Sequence, residues 1–145
     1  MDAASIHLQT ELTSPTTKEV SMLSDTKFNR PVKTNCRKVR AAEIAFDAHS
    51  SPLGFEYFGD ENNYALSGYF LAGLHGSTKK SLNHGYRVVR LRGRDKLSGA
   101  PEDFIDGFLR AGKVNGRPVD ILSFGKDAFL LTDDYAGVVY YVHAK

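Results

Sequence analysis

Gly116-Arg117-Pro118-Val119-Asp120-Ile121-Leu122-Ser123-Phe124-Gly125-Lys126-Asp127-Ala128-Phe129-Leu130-Leu131-Thr132-Asp133-Asp134-Tyr135-Ala136-Gly137-Val138-Val139-Tyr140-Tyr141-Val142 holds three short segments rich in β-branched, aromatic and aliphatic residues. Gly125-Lys126-Asp127 and Asp133 to Gly137 separate them, as turns punctuate a tight antiparallel meander. Nothing in the run favours a helix. Its first part also has an earlier counterpart: Pro52-Leu53-Gly54-Phe55-Glu56-Tyr57-Phe58-Gly59-Asp60 and Pro118 to Lys126 both run from Pro through an aliphatic residue to Phe-Gly and a charged residue.

A repeat of several tens of residues built from strands points to propeller blades. The expected fold is all-β, a partial β-propeller of about two antiparallel blades over residues 39–145, preceded by a disordered or irregular segment over residues 1–38. Working outward, Leu53–Phe58, Tyr69–Leu74 and Gly85–Leu91 read as strands of a first unit. The last of these alternates as a half-buried strand requires, with Tyr86, Val88 and Arg90 on one face and Arg87, Val89 and Leu91 on the other. Pro101–Leu109 completes it as a shorter, more polar strand that suits an outer edge, a pattern that also fits one helical turn. Val119–Phe124, Ala128–Thr132 and Val138–His143 form the second unit, one strand short of four. The segment before Asn35 is rich in Ser, Thr, Lys and Asp, with a weakly marked helix over Thr17–Leu23; the chain turns apolar from Val39 to Phe46.

The composition is that of a soluble globular protein: 145 residues, 41% hydrophobic and 25% charged. A net charge of +2 from 19 basic and 17 acidic residues, with the basic residues scattered, argues against a nucleic-acid partner. The single cysteine, Cys36, excludes an internal disulfide. No apolar run approaches the roughly 18 residues that cross a bilayer as a helix. The start, Met1 to His7, lacks a basic region followed by an apolar one, so no secretory signal is read and an intracellular location is expected of the chain as written.

Connections in an up-and-down meander alternate between the two ends of the strands. The loops Asp47–Ser51, His75–His84, Lys113–Arg117 and Asp133–Ala136 therefore share one end. They gather His49, His75, Lys79, Lys80, Arg117, Asp133 and Asp134 there, where loops on a rigid scaffold carry binding groups. Asp133-Asp134 lacks the alternating donors and distal Glu of a calcium loop, so turn chemistry is the better reading. The strand aromatics, Phe55, Tyr57, Phe70, Tyr86, Phe124, Phe129, Tyr140 and Tyr141, read as core between blades.

In order and spacing, Ala48-His49-Ser50-Ser51-Pro52-Leu53-Gly54, Leu74-His75-Gly76-Ser77, Gly85-Tyr86-Arg87-Val88-Val89-Arg90, Gly116-Arg117-Pro118-Val119-Asp120 and Thr132 to Tyr140 resemble the C-terminal part of the glucose/sorbosone dehydrogenases. The nearest resemblance is to the fungal pyranose dehydrogenases that use pyrroloquinoline quinone, and it covers about Cys36 to Lys145. It implies a six-bladed β-propeller that holds the quinone and a calcium ion over its central channel and oxidises a sugar at the anomeric carbon, through a general base and hydride transfer to the quinone. It implies a cofactor-binding role for Arg117, whose planar guanidinium suits a carboxylate or quinone oxygen, and for Lys79, His75 and His49 beside it. It implies no catalytic residue and no metal ligand here, because the family carries its histidine base and calcium ligands in earlier blades. The resemblance implies a usually secreted sugar oxidoreductase, of which this chain would be a fragment unable to turn over alone.

The chain departs from the family at Thr78-Lys79-Lys80, where relatives have Trp-Asn-Arg, at Val119, where some have a second arginine, and at Cys36, which lacks a partner. Uncovered blade edges invite self-association. The readings that compete with these are plain ones: His49 and His75 satisfied by backbone, Arg117 in a salt bridge with Asp133 or Asp134, and the whole chain a non-catalytic β-module that binds a carbohydrate or a protein partner.

Overall fold

The computed structural model describes residues 41–59, 66–79, 81–93 and 96–143; the readings made on residues 1–38, Cys36 and Lys80 lie outside them. Among the described residues there is no helix. The elements run β1 (Pro52–Phe58), β2 (Tyr69–Leu74), β3 (Arg87–Gly93), β4 (Leu97–Ile105), β5 (Leu109–Arg110), β6 (Lys113–Val114), β7 (Pro118–Ser123), β8 (Ala128–Asp133) and β9 (Val138–His143). They form an antiparallel four-stranded sheet in the order β1-β2-β3-β4, a β5-β6 hairpin, and a three-stranded sheet in the order β7-β8-β9. This is the meander of two successive propeller blades, the second with three strands.

The repeat seen in the sequence is a repeat of backbone geometry. Pro52 pairs with Leu74 and Pro118 with Asp133, and in both sheets the register slips before the next pair, Phe55 with Ala72 and Ile121 with Leu131. A proline has no N–H for the ladder, so each unit opens with proline at the strand start and an irregularity behind it. By this equivalence His75, after β2, occupies the position of Asp134, after β8.

The two sheets meet through β1 and β2 against β7. Gly54 makes the approach tight, since a Cβ there would fall on the Asp120 backbone. Between the sheets lies a core of Phe58, Leu71, Tyr86, Val88, Phe108, Ile121, Phe129 and Leu131, with Phe104, Leu109 and Val114 packed against it. Burying each of the larger aliphatic side chains contributes about 1.5–3 kcal/mol.

Two sequence expectations are corrected and a third has its bounds moved. Strand β3 is not half-buried: Val88 faces the inter-sheet core, while Val89 and Leu91 join Ala72 and Leu74 in a second cluster on the other face, covered by Ile44 and Phe46. The polar run near Pro101 is the edge strand expected, with its bounds moved to Leu97–Ile105. The supposed loop before Gly116 contains the β5-β6 hairpin, whose two central residues, Ala111 and Gly112, both lie in the left-handed region at φ 49° and 74°. Such a pair matches the twist of a two-residue hairpin.

Candidate functional site

The loop before β1 and the loop after β2 are laced together by their backbones. His75 N–H donates to the Ser51 carbonyl at 3.0 Å and Gly76 N–H to the Ser50 carbonyl at 2.9 Å. His84 joins them through a 2.9 Å bond between its Nδ1 and the Ala48 carbonyl. In the second sheet the corresponding work falls to a carboxylate: buried Asp133 accepts the N–H of Arg117 at 2.9 Å and that of Ala136 at 2.8 Å. It thereby fixes both the start of β7 and the turn after β8.

This anchoring carries the Arg117 side chain across to the first sheet. One terminal nitrogen donates to the Ser77 carbonyl at 3.0 Å and to the Tyr86 hydroxyl at 3.2 Å, and the other lies 3.4 Å from His75 Nδ1. The guanidinium carbon stands 5.2 Å from the centre of the Tyr86 ring, a cation–π distance. Tyr86 is itself locked, buried in the inter-sheet core, with its hydroxyl donating to the same Ser77 carbonyl and its ring pressed against Gly76.

The salt-bridge alternative for Arg117 is not what forms. Asp133 spends its carboxylate on backbone N–H groups, and Asp134 meets His75 Nε2 at 2.9 Å. A nitrogen facing Arg117 must accept, so Nδ1 is unprotonated and Nε2–H donates to Asp134. Arg117 is thus partly buried, its guanidinium held by a carbonyl, a hydroxyl, a ring and an imidazole, and among the described residues it forms no salt bridge. These contacts engage both terminal nitrogens, the Ser77 carbonyl and the Tyr86 hydroxyl lying close enough together to share one N–H, and Nε–H is outside them.

Of the four cofactor-binding candidates the structure brings two together, Arg117 and His75. Lys79 lies on the same loop but is exposed, with its backbone N–H on Ser77 Oγ at 3.0 Å. His49 is exposed at the same end, with a left-handed φ of 68°. Sequence reasoning missed Tyr86 and Ser77 as the groups that hold Arg117. Tyr86 was legible only as a core aromatic; the glycines at 76 and 85 that let backbone and ring close up on it were the available signal. Among the described residues no group of three or more His, Cys, Asp or Glu side chains could hold a metal ion. No helix among them is long and apolar enough to cross a membrane.

Comparison with known proteins agrees with the resemblance. The TrAA12-like family matches residues 3–108, which takes in the whole first sheet and stops short of Arg117. An "Uncharacterized protein" of Borreliella burgdorferi is 34% identical over 101 residues, 66% of this chain and 26% of that protein. Among solved structures, the holo form of the pyranose dehydrogenase PQQ domain from Coprinopsis cinerea is 21% identical, with a TM-score of 0.45, over 66% of this chain and 27% of that one. The chain thus spans about a quarter of the length of either.

Proposed function

The chain belongs to the TrAA12-like family, and from that premise we propose that it is part of a pyrroloquinoline quinone-dependent sugar dehydrogenase that supplies a cationic cofactor contact. One observation carries the reading: the Arg117 guanidinium is oriented by Ser77, Tyr86 and His75, with its Nε–H outside those contacts and no carboxylate paired with the guanidinium among the described residues. A quinone bearing carboxylates is a ligand of the matching charge and planarity. When bound, that group would take up the hydride of the sugar.

This chain's own residues would bind and orient. Arg117 would pair with a carboxylate or quinone oxygen, and His75, tied to Asp134, would hold the guanidinium from one side. His75 is not placed to remove a proton, because protonating Nδ1 would set a new N–H against Arg117. The proton acceptor would come from outside the described residues, and the chain alone would not turn over.

The test is calorimetric titration of pyrroloquinoline quinone into the chain. Saturable binding is expected, weakened about 10- to 150-fold in Arg117→Ala, as loss of a charge-assisted contact of about 1.5–3 kcal/mol requires. Arg117→Lys should recover part of it. Absence of saturable binding, or affinity unchanged in Arg117→Ala, would refute the assignment. Sugar oxidation by the isolated chain with quinone, calcium and a dye would overturn its catalytic incompleteness.

A further inference from the structure

His75 and Asp134 hold equivalent places in the two sheets, one after β2 and the other after β8, and they bond each other from sheet to sheet, Nε2 to carboxylate at 2.9 Å. On its other side the same ring meets Arg117, its Nδ1 lying 3.4 Å from a terminal guanidinium nitrogen. The ring thus stands between a carboxylate and a cation. Its side chain is 18% exposed and that of Asp134 62%, so the acid lies at the rim and the imidazole carries its influence inward. An ionised carboxylate can only accept, which obliges Nε2 to carry the proton and leaves Nδ1 as an acceptor for Arg117. The other charged and titratable groups at this end are turned elsewhere. Asp133 holds the N–H of Arg117 and of Ala136, Tyr86 reaches the guanidinium and not the ring, and His84 meets the Ala48 carbonyl. Lys79 and His49 are exposed and, among the described residues, make no bond to the ring.

We propose that Asp134 is a positioning residue for Arg117, acting through His75, and that a proton added to His75 Nδ1 releases the guanidinium and weakens its hold on an anionic oxygen. The inference rests on the reading of Arg117 as a cofactor contact and adds the regulation of that contact by pH. Imidazoles change charge between about pH 5 and 8, so the oriented guanidinium belongs to the upper end of that range. Protonation turns the acceptor into an N–H that faces another N–H. It also adds a positive charge, which by itself favours an anion. Asp134, at 2.9 Å from the ring, already pairs with that charge, so an incoming anion gains little from it. The loss of orientation therefore outweighs the gain in charge, and binding weakens as the pH falls.

The experiment is nitrogen NMR of the isotopically labelled full chain across about pH 5 to 8, joined to calorimetric titration of pyrroloquinoline quinone at both ends of that range. At the upper end the His75 ring should show the tautomer protonated at Nε2, and the Arg117 side-chain signal should shift in step with the His75 titration. Quinone should bind about tenfold more weakly at the lower end than at the upper, the smallest loss expected for a hydrogen bond to a charged group. Asp134→Asn, whose amide can donate to Nε2 as well as accept from it, should mix the two tautomers and weaken binding at the upper end. His75→Asn keeps an oxygen that accepts and has no proton to gain, so it should remove the pH dependence whatever its affinity. A proton on Nδ1 at the upper end, an Arg117 signal indifferent to His75, quinone binding that holds level or strengthens as the pH falls, or a pH dependence that survives in His75→Asn would each overturn the proposal. Quinone failing to bind at any pH would refute the cofactor reading alone, since the imidazole and guanidinium signals decide the positioning claim without a ligand.

Discussion

Asp133 is 2% exposed, and its carboxylate is the joint between the second sheet and the Arg117 loop. Asp133→Ala strands the N–H of Arg117 and of Ala136, which it now holds at 2.9 and 2.8 Å. A hydrogen bond to a charged group contributes about 1.5–3 kcal/mol, so losing two would cost about 3–6 kcal/mol if both donors stayed dry. Ala136 lies on an exposed turn where water can replace the carboxylate, whereas Arg117 is partly buried. The lower end, about 3 kcal/mol, is therefore expected. Asp133→Asn keeps an oxygen able to accept both bonds and should lose only the charge-assisted part, about 1 kcal/mol. Equilibrium urea unfolding measures both, read as a midpoint shift at constant slope. A cost below about 1 kcal/mol for Asp133→Ala, with the slope unchanged, would mean that the carboxylate does not hold the two segments together.

The remaining expectations concern single contacts. Gly54→Ala drives a methyl into the Asp120 backbone between β1 and β7 and should destabilise by about 1–3 kcal/mol in the same unfolding assay. Tyr86→Phe removes the hydroxyl that receives Arg117 and should weaken quinone binding, by less than Arg117→Ala does, leaving secondary structure by circular dichroism intact. The Tyr140 phenol is pushed above 10.0, first by burial and then by the Asp133 charge and hydrogen bond. The fold therefore favours the neutral form, so its stabilisation is whole below pH 10.0 and is lost as the pH rises through the raised value. Ultraviolet titration should show one tyrosine ionising later in the folded chain, with the delay reduced in Asp133→Asn.

What the residues determined by themselves was local. Alternation, β-branched content and Gly/Pro/Asp punctuation placed β2 and β9 at their observed bounds and β1, β3, β7 and β8 within a residue or two, because strand period and turn chemistry act between near neighbours in the chain. The loop-borne motifs likewise pointed to the family that the comparison found. The tertiary structure decided the rest. Both faces of the first sheet are buried because Ile44 and Phe46 fold back over one of them, which alternation within β3 cannot anticipate. Ala111-Gly112 lacks the Asn-Gly or Asp-Gly signal of a hairpin, so β5 and β6 went unseen. Whether Arg117 meets an acid or a carbonyl depended on reach across 31 to 42 residues of chain, to Tyr86, Ser77 and His75. Two sheets had to pack at Gly54 before a guanidinium on one could rest against a phenol on the other, and no pattern along the chain encodes that distance.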